Sequence, residues 1–364
     1  MQYNWKYRVY LNKKKKSQNF SDVVPNEVHT HIDSLMWYPY TNTRTPFREV
    51  TLQPYQEPAE FGAFLRTLSP RYTRPGRIWK EFKQAIFEGW MPNKIHVIGA
   101  SSGYDSRLIA KAVQELTKQH GTGWLGETYF VECAGEAEGF TEIMKTLGWQ
   151  DRTIIWEPDF TFEYFENHSD RFNGLCAYPM NQWYDFYLKN WNENDIQYIS
   201  GYGGNVADVI NPNSPYMADR KHRHRLRGKL AMYFKHQYFY QISAFRQPKH
   251  SLHPFWSWRY IRSVTGVKHE TPRTSVMLAD IFVPECSHVK RMKILGVVSR
   301  NGHRTVKRSV VKKLHNWYRE TRYGKHHPST PSNIIEYNKW WLQFCIASYA
   351  EKNNTCIDRR RAGA

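Results

Sequence analysis

The segment with the clearest chemical potential is Ser101-Ser102-Gly103-Tyr104-Asp105-Ser106, entered directly from the apolar run Ile95 to Ala100. Small side chains after a strand let backbone N–H groups close on an anion, and the positive end of a following helix adds a favourable field. A carboxylate at the end of such a loop, here Asp105, is placed to hold a Mg²⁺ that bridges phosphate oxygens. The six residues read as a phosphate cradle. Their spacing fits neither Gly-x-x-x-x-Gly-Lys-Ser/Thr nor Gly-x-Gly-x-x-Gly, which argues against a kinase-type loop and a dinucleotide site. Serine and glycine also fill ordinary turns, so partner segments have to decide.

Two such partners follow. About 100 residues on, Ser200-Gly201-Tyr202-Gly203-Gly204-Asn205-Val206-Ala207-Asp208 puts three glycines into four positions after another apolar run, making room for backbone to touch a ligand. Later still, Lys290-Arg291-Met292-Lys293 places two ammonium groups and a guanidinium in one short basic run. Taken singly, the first fits a plain turn and the second a solvated basic surface. Glu132, Glu136 and Glu138 flank a further strand end, where a carboxylate can serve as general base or simply face solvent.

In order and spacing, these stretches resemble the ATP pyrophosphatases of the asparagine synthetase type, over roughly Arg74 to Lys293. Ser101 to Ser106 is similar to the family's Ser-Gly-Gly-x-Asp-Ser loop, with Ser102 standing where the family has its first glycine. Residues Ser200 to Asn205 resemble its Ser-Gly-x-Gly-Gly-Asp-Glu segment, with Asn205 at the position of the metal-binding Asp and Asp208 one turn on. The resemblance implies ATP and Mg²⁺ as ligands. Ser101, Ser102, Gly103, Tyr104, Ser106, Gly201, Gly203 and Gly204 would then hold ATP or pyrophosphate. Asp105, Asn205 and Asp208 would hold the metal, and Lys293, with Lys290 in reserve, would contact the phosphates. His253-Pro254-Phe255 is similar to a Pro-Phe packing element of the family. Full synthetases begin with a glutaminase whose nucleophile is a cysteine at position 2, and Gln2 stands here, so no glutamine hydrolysis by that route is expected.

The elements that must position these residues alternate. Strands are expected at Tyr3 to Val9, Ile95 to Ile98, Thr128 to Glu132, Thr153 to Trp156 and Ile196 to Ser200. Helices are expected at Pro75 to Gly89, Ser106 to Gln119, Phe140 to Leu147 and Pro179 to Asn190. From residue 75 on, that alternation argues for an α/β fold with a parallel sheet, whose ligands bind at the carboxyl ends of the strands. The resemblance makes it the Rossmann-like PP-loop type. The chain divides into a strand and loop region at 1–74, the pyrophosphatase domain at 75–215 and a basic, mainly helical domain at 216–364.

Composition sets outer bounds. Five scattered cysteines without a C-x-x-C pair speak against a zinc site or a disulfide framework and fit a cytoplasmic protein. No apolar stretch is long enough to span a membrane, and Met1 to Lys6 does not resemble a signal peptide. The net charge of +19, with runs at Lys13 to Lys16, Arg220 to Arg227, Arg304 to Lys313 and Arg359 to Arg361, calls for an anionic partner. With 16% aromatic residues, DNA or tRNA stands beside a small molecule as the substrate. Three functions stay open at this level: an adenylating, amide-forming ligase with ammonia or an amine as acceptor, the same chemistry on a nucleic-acid base, and nucleotide or nucleic-acid binding without catalysis.

Overall fold

The computed structural model describes residues 10–13, 15–17, 27–29, 47–52, 59–68, 73–132, 136–156, 163, 189–201, 203–204, 249–265, 274–289, 308–321, 325, 347–348, 350–351 and 356–358. Its centre is a five-stranded sheet of β5 (Ile95–Ala100), β6 (Thr128–Glu132), β7 (Thr153–Ile155), β8 (Ile196–Ser200) and β9 (Ser251–Leu252), where the numbering counts four short strands that precede β5. Every pairing in it is parallel, in the order β7-β6-β5-β8-β9. From β5 the chain steps outward to β6 and β7, then returns to the other side for β8 and β9. This is a doubly wound α/β sheet, and its direction reverses between β5 and β8. Ala100 pairs with Glu132 and Gly99 with Ser200, so the loops that leave these three strands emerge at one edge.

Alternation along each strand divides the sheet into two faces. One face carries Ile98, Ala100, Phe130 and Ile199 into the main core; the other carries Val97, Val131 and Ile196 against Trp156, Trp191 and Tyr198. The main core is closed by helices whose apolar residues recur every three or four positions. Helix α2 (Pro75–Gly89) opens with proline, whose fixed φ suits the first turn, and buries Ile78, Trp79, Phe82, Ala85 and Ile86. Helix α3 (Tyr104–His120) buries Leu108, Ile109, Ala112, Val113 and Leu116, and stops at Gly121 with φ +84°. The short α4 (Thr122–Leu125) follows it, and α5 (Ala137–Thr146) buries Phe140, Ile143 and Met144. Before α2, helix α1 (Ala59–Thr67) lies in the stretch expected to be strand and loop, and its Phe61, Phe64 and Leu65 join the same core.

The elements match the sequence expectation with shifted ends: β5 runs on to Ala100, α3 begins at Tyr104 rather than Ser106, and α5 covers 137–146. Two features differ in kind from the expected helical C-terminal region. Residues 251–252 add the edge strand β9, and β10 (Cys356–Asp358) pairs in parallel with β3 (Glu27–His29). Helices α6 (Trp258–Val264) and α7 (Thr274–Phe282) pack into the sheet's own core through Tyr260, Ile261, Met277 and Leu278. Phe255, in the 3₁₀ turn Pro254–Trp256, is buried with ring centroids 4.7 Å from Phe82 and 5.2 Å from Tyr260, so the Pro-Phe element packs. Farther on, α8 (Arg308–Glu320) buries Leu314 and Tyr318. Near the start, β1 (Tyr10–Asn12), β2 (Lys15–Ser17) and β4 (Thr51–Leu52) form a small antiparallel sheet. The expected strand at Tyr3 to Val9 and the helix at Pro179 to Asn190, apart from 189–190, lie outside the described residues. Among the described residues no helix is long and apolar enough to cross a membrane.

Candidate functional site

The loops after β5 and β8 leave neighbouring strands at the point where the sheet changes direction, which is where doubly wound sheets form their ligand crevice. Asp105 occupies the first turn of α3, where the helix field favours a carboxylate. Gly201 and Gly204, after β8, sit directly on it. A Cβ at Gly201 would stand 3.1 Å from the Asp105 Cβ, and one at Gly204 would occupy the same space as the Asp105 carboxylate. Gly203 has φ +92°, in the left-handed region that side chains avoid, and a Cβ there would run into the indole Nε1 of Trp256. Glycine is therefore required at 203 and 204 by conformation and by contact. The close approach brings the second loop's backbone onto the first loop's carboxylate.

The first loop is wired by its own hydroxyls. The Ser101 N–H donates to Ser106 Oγ at 2.9 Å, and the Gly103 N–H donates to Ser101 Oγ at 3.1 Å. Ser102 turns the other way. Its N–H and its hydroxyl both donate to Glu136 Oε2, at 2.8 and 2.6 Å, and both residues are buried. The Glu136 N–H in turn donates to Glu132 Oε1 at 3.2 Å. The loop is held from behind by the Glu136 carboxylate, and Glu132 at the end of β6 holds the Glu136 backbone in turn. Glu138 is exposed. Tyr104 lies half-buried at the start of α3, with the Arg107 guanidinium 5.1 Å from its ring.

The electrostatics around the crevice are fixed by burial. His253, which precedes the Trp256 turn, is pushed down to about 3 by loss of water, so it is neutral at any physiological pH. Cys286 is a buried thiol raised to about 11, chiefly by desolvation, and is inert as a nucleophile.

The crevice thus gathers Ser101, Gly103, Tyr104, Asp105, Ser106, Gly201, Gly203 and Gly204 of the expected set, with Ser102 one layer behind. Asn205, Asp208, Lys290 and Lys293 lie outside the described residues, as do the basic run at 220–227 and Tyr202. The segment at 284–289, which leads into Lys290, is described, and α3 touches it through Lys111 and Arg107.

No protein-family model and no curated protein matches this chain. Among solved structures it is similar to NAD⁺ synthetase from Burkholderia pseudomallei. That likeness has a TM-score of 0.29 and 11% identity, over 64% of this chain and 97% of the other. A likeness so slight leaves the fold to be read from the sheet itself.

The donor set fits a hard divalent cation shared with phosphate. Among the described residues no cluster of three His, Cys, Asp or Glu side chains forms a closed metal cage. Mg²⁺ does not need one, since it keeps several waters and is usually bound by one or two carboxylates plus substrate phosphates. The Asp105 carboxylate, with which a Cβ at Gly204 would collide, has the chemistry to serve as one such ligand. Sequence reading missed two participants, Trp256, on which Gly203 rests, and Arg107, and it singled out Glu136 for a different role from the one seen, which is to brace Ser102. Only Arg107 carries a local signal, because a cation in a helix's first turn opposes the helix field.

Proposed function

We propose that this chain is an ATP-dependent, AMP- and pyrophosphate-forming ligase of the asparagine synthetase-like, PP-loop kind. The observation that carries this reading is the meeting of the loop at 101–106 with Gly201 and Gly204, which sit against Asp105 at the sheet's switch point. ATP would lie across that crevice with its β and γ phosphates against Ser101, Gly103, Ser106 and the backbone of Gly201, Gly203 and Gly204. Asp105 would hold Mg²⁺, helped by Asn205 or Asp208. When bound, the ion offsets charge on the phosphate oxygens.

A substrate carboxylate, or an amide-like oxygen, attacks the α phosphorus; the α–β anhydride bond breaks and pyrophosphate leaves. Ammonia or an amine then attacks the activated carbon, its nitrogen forms the new bond, its proton passes to solvent, and AMP departs with the oxygen. Lys293, with Lys290 in reserve, would neutralise the leaving pyrophosphate. The net charge of +19 favours a second reading, in which the activated oxygen belongs to a base in DNA or tRNA.

Exchange of labelled pyrophosphate into ATP tests both, with carboxylic acids, tRNA and DNA oligonucleotides offered in turn. One class of acceptor should support exchange, and Asp105→Ala should lower it at least a hundredfold with the melting temperature unchanged. Undiminished exchange in Asp105→Ala would overturn the site.

A further inference from the structure

We infer that Arg107 is a positioning residue, a buried clamp that makes the phosphate-cradle loop and the segment at 284–289 move as one body. The placement of Arg107 is unusual on its face. It lies in the first turn of α3, where the helix field disfavours a cation, and only 2% of it is exposed. Its guanidinium makes four bonds to backbone carbonyls. Nε and Nη2 both donate to the Ser102 carbonyl at 3.1 Å, Nη1 donates to the Cys286 carbonyl at 2.8 Å, and Nη2 also donates to the Val289 carbonyl at 2.7 Å. The rigid planar fork is what lets one side chain span two backbone segments; an ammonium is a point charge and cannot.

Other contacts converge on the same junction. Lys111 of α3 pairs with Glu285, and His288 Nε2 lies 3.4 Å from Glu142 Oε1 on α5. A Cβ at Gly139 would stand 3.1 Å from the Ser102 Cβ and 3.5 Å from Val289 Cγ1. The segment at 284–289 is therefore seated between α3 and α5, against the back of Ser102. In sequence the next residue is Lys290. The clamp gives the basic run from Lys290 a fixed origin relative to the loop, and that consequence for catalysis rests on the function proposed above.

Native-state hydrogen exchange of the wild-type protein reads the clamp without any variant. The hydrogen-bonded amides of Ser101, Ser102 and Gly103, and those of Cys286, Ser287 and Val289, should open as one unit, with protection factors within about threefold and one shared dependence on denaturant. Protection differing by more than about thirtyfold between the two groups would overturn the clamp. Arg107→Lys should speed exchange in both groups at least tenfold while the amides of Leu108 to Leu116 keep theirs; no change at 286–289 would equally overturn it. In pyrophosphate exchange the same variant should lose at least tenfold in kcat with KM for ATP within threefold. Wild-type protein without exchange activity would instead remove the proposed function, and the amide data would still decide the clamp.

Discussion

At the level of single residues, Asp105 was legible because its chemistry is local: a carboxylate in a run of small residues after an apolar strand needs no distant partner to be noticed. Gly203 and Gly204 were legible as a Gly-rich turn, but their reason was not, since it lies in contacts with Trp256 and Asp105 that are remote along the chain. Gly204→Ala should push the Asp105 carboxylate aside and weaken Mg²⁺-dependent ATP binding at least tenfold, read by calorimetric titration, with circular dichroism unchanged. Ser102 illustrates the opposite case. Its hydroxyl, expected to face phosphate, is given to Glu136, a pairing that no local pattern encodes. Glu136→Ala leaves the Ser102 N–H and hydroxyl buried without that acceptor, which should cost about 2–4 kcal/mol in urea unfolding. Glu136→Gln retains an acceptor and should cost less.

The alternation from α2 to β8 was readable because period-3.6 and period-2 apolar patterns follow one another there without ambiguity. The edge strand β9 is two residues long and β10 three, too short for any period to appear, so their pairing is decided by the sheet they join. Strand β5 also carries a pH-sensitive group. His96 is buried against the Trp90 ring, 3.8 Å between centroids, and its Nε2 lies 3.0 Å from the Met91 carbonyl. Desolvation lowers it to about 4, and His253 to about 3. The unfolded chain binds these protons near pH 6.5 and the folded chain does not, so stability is complete above that pH and falls as pH drops toward 4. Each histidine contributes up to about 1.4 kcal/mol per pH unit in that window. His96→Gln should therefore flatten the decline of melting temperature between pH 6 and pH 4.5, although it lowers stability at neutral pH.

At the scale of the whole molecule, the described residues centre on a doubly wound sheet with the candidate site where the winding reverses; a parallel sheet with glycine-bearing loops at its strand ends followed from the alternation, but the order of the strands and the place of the reversal did not. The joining of 251–265 and 274–286 to the same core did not follow either, because aromatic helices such as α6 give no sign of what they pack on. The charge of +19 belongs at this scale too. If the acceptor is a nucleic acid, its affinity should fall linearly on a log–log plot against salt, and a true substrate should stay well above random sequence at 0.2 M salt. The central claim is that the crevice between the two loops holds Mg·ATP through Asp105. Its most direct measurement is a titration of ATP, with and without Mg²⁺, into the wild-type protein and Asp105→Asn. The account predicts saturable, Mg²⁺-dependent binding that weakens at least thirtyfold in the variant; equal affinities in the two proteins, or binding indifferent to Mg²⁺, would contradict it.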